Sequence, residues 1–298
     1  MDLAYFIAEK IIRKQKHSYH REIGIDYTAN RLNEKKQIKR IPKGIECEKD
    51  DLGELLRKEG NPKDKAIFYI HGGGFCFGSP ESKRMFTLHV AKHFGYDIYA
   101  VDYALAPEHP YPEGLQDCVK AYENLLKRYS PKDIAMIGDS AGGNLVVATL
   151  LELEKRGIAL PASFLLLSPT LQYLEKTKSY RENNHSDCMV DGETFLDEVR
   201  DVYLRENDPE KLKLADYSPL FGDFSGFPKG YVIVSDSESL YDDSLRFKEA
   251  MDGYGRECEL DVYHNLMHTF PVIPVFRVSK PVLRKMKRFI DKNFQEAL

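Results

Sequence analysis

From about residue 65 onward the chain alternates between short apolar runs and longer stretches whose apolar residues recur every three or four positions. The short runs are AIFYI (66–70), DIYAV (97–101), DIAMIG (133–138), SFLLLS (163–168), YVIVSD (231–236) and ELDVYH (259–264). They read as strands, several of them apolar on both faces as buried parallel strands are. Helical periodicity covers 82–94, 115–128, 143–155, 242–253 and 280–294. This alternation predicts an α/β domain in which a mostly parallel central sheet is flanked by helices on both faces. Two segments break the rhythm: roughly the first 45 residues, and a polar, helical-looking stretch from about 174 to 214. Together they are expected to form a helical cap over the carboxyl edge of the sheet, where α/β folds bind ligands.

Composition narrows the class. The chain has 298 residues, no internal repeat and no Gly/Ser linker, which fits one large domain carrying cap elements at about 1–45 and 174–214. Hydrophobic residues make up 42% and charged residues 30%, the balance of an ordinary globular protein. A formal net charge of −4 gives no general electrostatic reason to bind nucleic acid or an anionic membrane, so a small molecule is the expected partner. The basic run from Arg31 to Lys43 has no interleaved aromatics and includes Glu34, which reads as a solvated surface. Five cysteines (Cys47, Cys76, Cys118, Cys188 and Cys258) form no C-x-x-C pair and imply neither a disulfide framework nor a zinc knuckle. A reducing cytoplasm is the compartment they fit. The N-terminal twenty residues lack the basic region and continuous apolar block of a signal peptide. No run approaches the ~18 to 20 apolar residues needed to span a bilayer.

The chemistry concentrates in two glycine-containing turns. Gly138-Asp139-Ser140-Ala141-Gly142 follows the strand DIAMIG and precedes the apolar helix GGNLVVATLLELEK. A serine at such a strand-to-helix turn stands clear of the sheet, with a helix N-terminus behind it that favours developing negative charge. Upstream, His71-Gly72-Gly73-Gly74-Phe75 directly follows the strand AIFYI. Consecutive glycines leave backbone N–H groups unshielded and able to converge on one oxygen, as an oxyanion hole requires. A phosphate loop fits poorly, since no Gly-Lys-Ser/Thr follows and the spacing is not G-x-G-x-x-G.

HGGGF, then Asp102-Tyr103-Ala104-Leu105-Ala106-Pro107-Glu108, then GDSAGGN, then Tyr217-Ser218-Pro219-Leu220 closely resembles the hormone-sensitive-lipase-like branch of the α/β-hydrolases from about 65 to 275. The resemblance implies an α/β-hydrolase fold and a carboxylesterase active on short acyl chains; no motif in the chain implies a cofactor. It also implies that Gly73, Gly74 and Ala141 supply the oxyanion donors. The base and its orienting acid follow the serine in the order Ser, Asp/Glu, His. His268 occupies the position of the family's H-G-F histidine, with Thr269 in place of the glycine; His264 is the nearby competitor, and at the end of the strand it reads as structural. The family's D-P-L-x-D stretch departs here to Ser235-Asp236-Ser237-Glu238-Ser239-Leu240-Tyr241-Asp242. Aligning the leucine and the following helix puts Glu238 in the acid's place, with Asp236 as the alternative and Asp242 as a helix-start residue.

Other polar residues read as structural. Asp102, Glu108 and Asp117 are expected to fix loops, Cys76 to pack beside the glycine loop, and His109, His185, Asp187 and Cys188 show no metal-ligand spacing. The expected activity is hydrolysis of a small-molecule ester through Ser140, His268 and Glu238. An amidase or peptidase with the same triad and a non-catalytic receptor of the same fold are the rival readings. Oligomeric state is left open.

Overall fold

The structure, a computed structural model, describes residues 3–19, 27, 31 and 40–296; most of the basic run that starts at Arg31 lies outside the described residues. Among these residues eight strands form one sheet in the order β1-β2-β4-β3-β5-β6-β7-β8. The strands are β1 (Ile45–Asp50), β2 (Gly53–Lys58), β3 (Ala66–Ile70), β4 (Asp97–Val101), β5 (Ile134–Asp139), β6 (Ser163–Leu167), β7 (Lys229–Ser235) and β8 (Cys258–Tyr263). From β4 across to β8 every pairing is parallel, whereas β1 with β2 and β2 with β4 are antiparallel. Six strands therefore fall where the apolar runs predicted them, within two residues at either end.

The hairpin of β1 and β2 is an addition to that expectation. Its sequence, IECEKD and GELLRK, carries charges at positions that a buried strand usually fills with apolar residues. β1 is an edge strand with mostly exposed side chains, and charge there blocks edge-to-edge pairing. β2 is buried except for Lys58 at its end, and its two buried charged residues are neutralised in place. Glu54 accepts from Arg84 Nε at 2.9 Å, and Arg57 donates to Asp97 Oδ2 from Nε at 2.8 Å and Nη2 at 2.6 Å. Such pairs hide a strand from any reading of hydropathy, because the partners lie 30 and 40 residues away.

Helices cover both faces. Tyr69, Ile98, Ile137, Leu165 and Ile233 point to one side, where they meet α2 (Arg84–His93) and α9 (Ser279–Glu296) with Tyr5 of α1 (Leu3–Tyr19). Phe68, Val101, Met136, Leu166 and Val232 point to the other, against α3 (Glu113–Leu125), α4 (Ala141–Lys155) and α8 (Tyr241–Gly253). This is the period-two alternation of a sheet buried on both faces. The 174–214 stretch holds three short helices, α5 (Lys178–Glu182), α6 (Phe195–Glu198) and α7 (Pro209–Leu212), and a π-helical turn over Val199–Leu204. Among the described residues no helix is long and apolar enough to cross a membrane.

Phe164 on β6 is fully buried against the rings of Phe227 and Phe247, whose centroids lie 5.9 and 6.0 Å away. Phe164→Ala leaves a cavity that these neighbours cannot close, and is expected to cost about 3–5 kcal/mol in urea unfolding. A loss under about 1 kcal/mol would show that the core on this face repacks.

Candidate active site

Ser140 sits between the last residue of β5 and the first of α4, with φ 54° and ψ −120°. Positive φ is costly for a residue with a Cβ, and here the turn's neighbours enforce it. A Cβ on Gly138 would strike the Gly142 carbonyl, and one on Gly142 would strike that of Ile70, so both flanking positions need glycine. The Ser140 N–H donates to Leu167 O on β6 at 2.9 Å, and the Ser140 carbonyl receives the N–H of Gly143 and Asn144.

The glycine loop lies beside this turn and is tied to it through Asp139. That buried carboxylate accepts the Gly72 N–H at 3.0 Å and the Tyr69 hydroxyl at 2.6 Å, with Lys83 Nζ 3.4 Å away. Burial alone would raise the Asp139 carboxyl; the Lys83 ammonium and these two donors outweigh it and hold it below the usual carboxylate value. Gly73 adopts φ 138° and packs under the Phe77 backbone, and Gly74 adopts φ 60° with open space where a Cβ would sit. Among the described residues no protein acceptor takes up the N–H groups of Gly73, Gly74 or Ala141. Three donors are thus free in the two turns around Ser140.

His268 and Glu238 meet as a buried pair. Nδ1 of His268 donates to Glu238 Oε2 at 2.6 Å, with 4% and 0% of the two side chains exposed. Glu238 Oε1 accepts the Ser235 N–H at 2.6 Å and the Ser168 hydroxyl at 2.9 Å. Burial pushes the Glu238 carboxyl up, against the pull of His268. Burial would also lower the His268 imidazole, but the carboxylate on Nδ1 reverses this and holds it above its ordinary 6.5. Nε2 of His268 has no partner among the described residues, so the ring is oriented at one nitrogen and open at the other.

The alternative acid lies elsewhere. Asp236 bonds the exposed His264 ring through Oδ2 and accepts the Asn265 N–H at 3.1 Å through Oδ1, so the two side chains weighed against Glu238 and His268 pair with each other. Asp242 Oδ2 accepts the Ser179 N–H at 2.8 Å, near the start of α8. Glu108 pairs with Arg31 at 2.8 Å, and Asp117 accepts the Ala104 N–H at 2.9 Å. Burial pushes the Cys76 thiol up to about 12, which keeps it protonated. No group of three or more His, Cys, Asp or Glu among the described residues is arranged to hold a metal.

Residues outside the motifs also reach the site. The Tyr5 hydroxyl of α1 accepts the Met267 N–H at 2.5 Å, one residue before His268. Asp187 Oδ2 accepts the Ser239 N–H at 2.9 Å, one residue after Glu238. Lys16 of α1 in turn holds the carbonyls of Asn184 and Asp187 at 2.8 and 2.9 Å. Tyr203, from the π-helical turn, stacks on Phe75 of the glycine loop at 3.8 Å. A polar residue ending an apolar strand at the sheet's carboxyl edge was the available signal for Ser168; for Asp187 and Lys16 local sequence carried none.

The chain is similar to known proteins over most of its length. The profile of the alpha/beta hydrolase fold family matches residues 67–272. An esterase of Acinetobacter venetianus is 32% identical over 239 residues, 80% of this chain and 78% of the relative. An acetyl-hydrolase of Streptomyces hygroscopicus is 30% identical over 215 residues, 70% of this chain and 71% of the relative. Among solved structures, an esterase from the bacterial hormone-sensitive lipase family superposes with a TM-score of 0.89 at 28% identity, covering 99% of each chain. EstE5, a crystal soaked with p-nitrophenyl butyrate, gives 0.87 at 26% identity, covering 99% of this chain and 100% of the other. The chain belongs to the alpha/beta hydrolase fold family, in its hormone-sensitive-lipase-like branch, and is a carboxylic ester hydrolase.

His71 provides a stability test of the glycine loop. Burial lowers its imidazole to about 4, and Nδ1 donates to the Gly72 carbonyl at 3.0 Å. A histidine depressed in the folded state contributes stability that is full above its unfolded value near 6.5 and is lost as pH falls toward 4, because the unfolded chain takes up the proton first. Urea unfolding at pH 7.5 and pH 5 is expected to show a fall in stability that shrinks in His71→Gln. An unchanged fall in that variant would contradict the buried neutral ring.

Proposed function

We propose that this ester hydrolase acts on short-chain acyl esters by two-step acyl transfer, with Ser140 as nucleophile, His268 as base and Glu238 as its orienting acid. The observation that carries the reading is the buried His268–Glu238 pair, 2.6 Å at Nδ1 with Nε2 left bare. A carboxylate on Nδ1 fixes the tautomer that leaves Nε2 free to accept a proton, and it stabilises the cation that results. Ser140 then attacks the ester carbonyl as its proton passes to Nε2. The N–H groups of Gly73, Gly74 and Ala141 take the developing oxyanion, a term worth roughly 3–4 kcal/mol per donor in related chemistry. His268 returns the proton to the leaving alcohol, and water, deprotonated by the same nitrogen, releases the acid from Ser140.

The short-chain preference draws on the acetyl-hydrolase relative and on the neighbour soaked with a butyrate ester. α1 and the 174–214 segment serve as the cap in this reading. They bond to each other through Arg13 and Lys16, and they touch the loops of His268, Glu238 and the glycine turn. All five cysteines are free, which fits the reducing cytoplasm as the site of action.

Ser140→Ala is expected to abolish p-nitrophenyl butyrate turnover while leaving thermal unfolding intact, and wild-type turnover by that variant would refute the nucleophile. Glu238→Gln is expected to lower kcat on the order of 10⁴-fold, whereas Asp236→Asn leaves it within about a factor of three. The reverse ranking would move the acid to Asp236. Because the base must be neutral and its pKa is raised, the acid limb of kcat/KM is expected above pH 6.5. Matched ester and anilide substrates separate ester from amide cleavage, and faster anilide turnover would overturn the substrate class.

A further inference from the structure

We infer that Ser168 is a positioning residue for the reaction, its hydroxyl joining the acid's carboxylate to the backbone of the histidine loop; the inference rests on the reading of Ser140, His268 and Glu238 as a triad. Ser168 follows the last residue of β6, is 1% exposed, and holds φ 50°. Its hydroxyl donates to Glu238 Oε1 at 2.9 Å, and the same oxygen accepts the Thr269 N–H at 3.2 Å. Its own N–H is held by Ile233 O on β7 at 2.8 Å, and the preceding carbonyl, Leu167 O, receives the Ser140 N–H at 2.9 Å. One dipeptide at the end of β6 therefore touches the segments that carry nucleophile, acid and base.

Two features show what the hydroxyl is needed for. Glu238 is 0% exposed, and a buried carboxylate must have its oxygens satisfied by donors if it is to stay ionised. Ser235 N–H and Ser168 Oγ–H fill that role on Oε1, the oxygen His268 does not use. Thr269 stands at φ 51°, where the family pattern has glycine, and a β-branched residue there is strained. The Ser168 oxygen takes its N–H and holds the turn that aims the imidazole. A hydroxyl is the smallest group that can donate to the first partner and accept from the second.

Ser168 touches neither substrate nor any reacting atom in this scheme, so its removal is expected to act through the pair. A donor to a carboxylate stabilises the ionised form; without it the carboxylate is more basic and holds the imidazolium proton more tightly. The other charges acting on the pair, Asp187 from the 174–214 segment and Asp139 beside Ser140, are left in place.

The test measures kcat, KM and the pH profile of the full chain on p-nitrophenyl butyrate for wild type, Ser168→Ala and Ser168→Gly. Glycine accepts φ 50° freely, so it separates the hydroxyl from backbone strain and keeps the test available should the alanine variant fail to fold. Both variants are expected to lose roughly ten- to a hundredfold in kcat with KM within about threefold, and to shift the acid limb to higher pH. A wild-type acid limb in either folded variant, or wild-type kcat in Ser168→Gly, would overturn the role. A wild-type enzyme that fails to turn over the ester would instead refute the proposed function on which the inference stands.

Discussion

A carboxylate buried beside an imidazole is the constraint around which this end of the molecule is built. Glu238 is excluded from water, and an ion in that position costs several kcal/mol unless donors replace its hydration. Three donors do so: the Ser235 N–H from the end of β7, the Ser168 hydroxyl from the end of β6, and His268 Nδ1 from the loop after β8. Each comes from a different strand end, so the contact exists only when β6, β7 and β8 lie side by side in parallel register. The sheet's long-range order is thereby converted into the orientation of a single imidazole ring.

A second buried carboxylate organises the opposite side of the site. Asp139 draws in the Gly72 N–H, the Tyr69 hydroxyl and the Lys83 ammonium, clamping the glycine loop against the turn that carries Ser140. Both carboxylates lie next to the positions that would react, and both are held by donors from elements distant in sequence. α1 and the 174–214 segment extend the same logic outward: Lys16 holds the Asp187 carbonyl, and the Asp187 carboxylate holds the residue after Glu238. A shift in either segment would therefore be felt at Glu238 through hydrogen bonds.

Much of this was legible in the chain because apolar runs and glycine turns report local necessity. The buried parallel strands declare themselves by being apolar throughout, and Gly138 and Gly142 by the close approach of the Ile70 and Gly142 carbonyls. The hairpin of β1 and β2 escaped because Glu54 and Arg57 read as surface residues until Arg84 and Asp97 are brought to them. The sequence ranked Glu238 above Asp236 by aligning the leucine and helix that follow; in space Glu238 bonds His268 and Asp236 bonds His264. Asp187 and Lys16 lay beyond reach for the same reason: their roles are defined by partners dozens of residues away, and no local pattern records such partners; Ser168 left only the weak signal of a polar residue closing an apolar strand.

The central claim is that the His268–Glu238 pair activates Ser140, and covalent labelling by a fluorophosphonate probe tests it most directly. Intact mass followed by peptide mapping is expected to find one adduct per chain, on Ser140, forming faster as pH rises through the His268 titration and slowed in Glu238→Gln. No adduct on the folded chain, or an adduct whose rate is indifferent to Glu238, would contradict it.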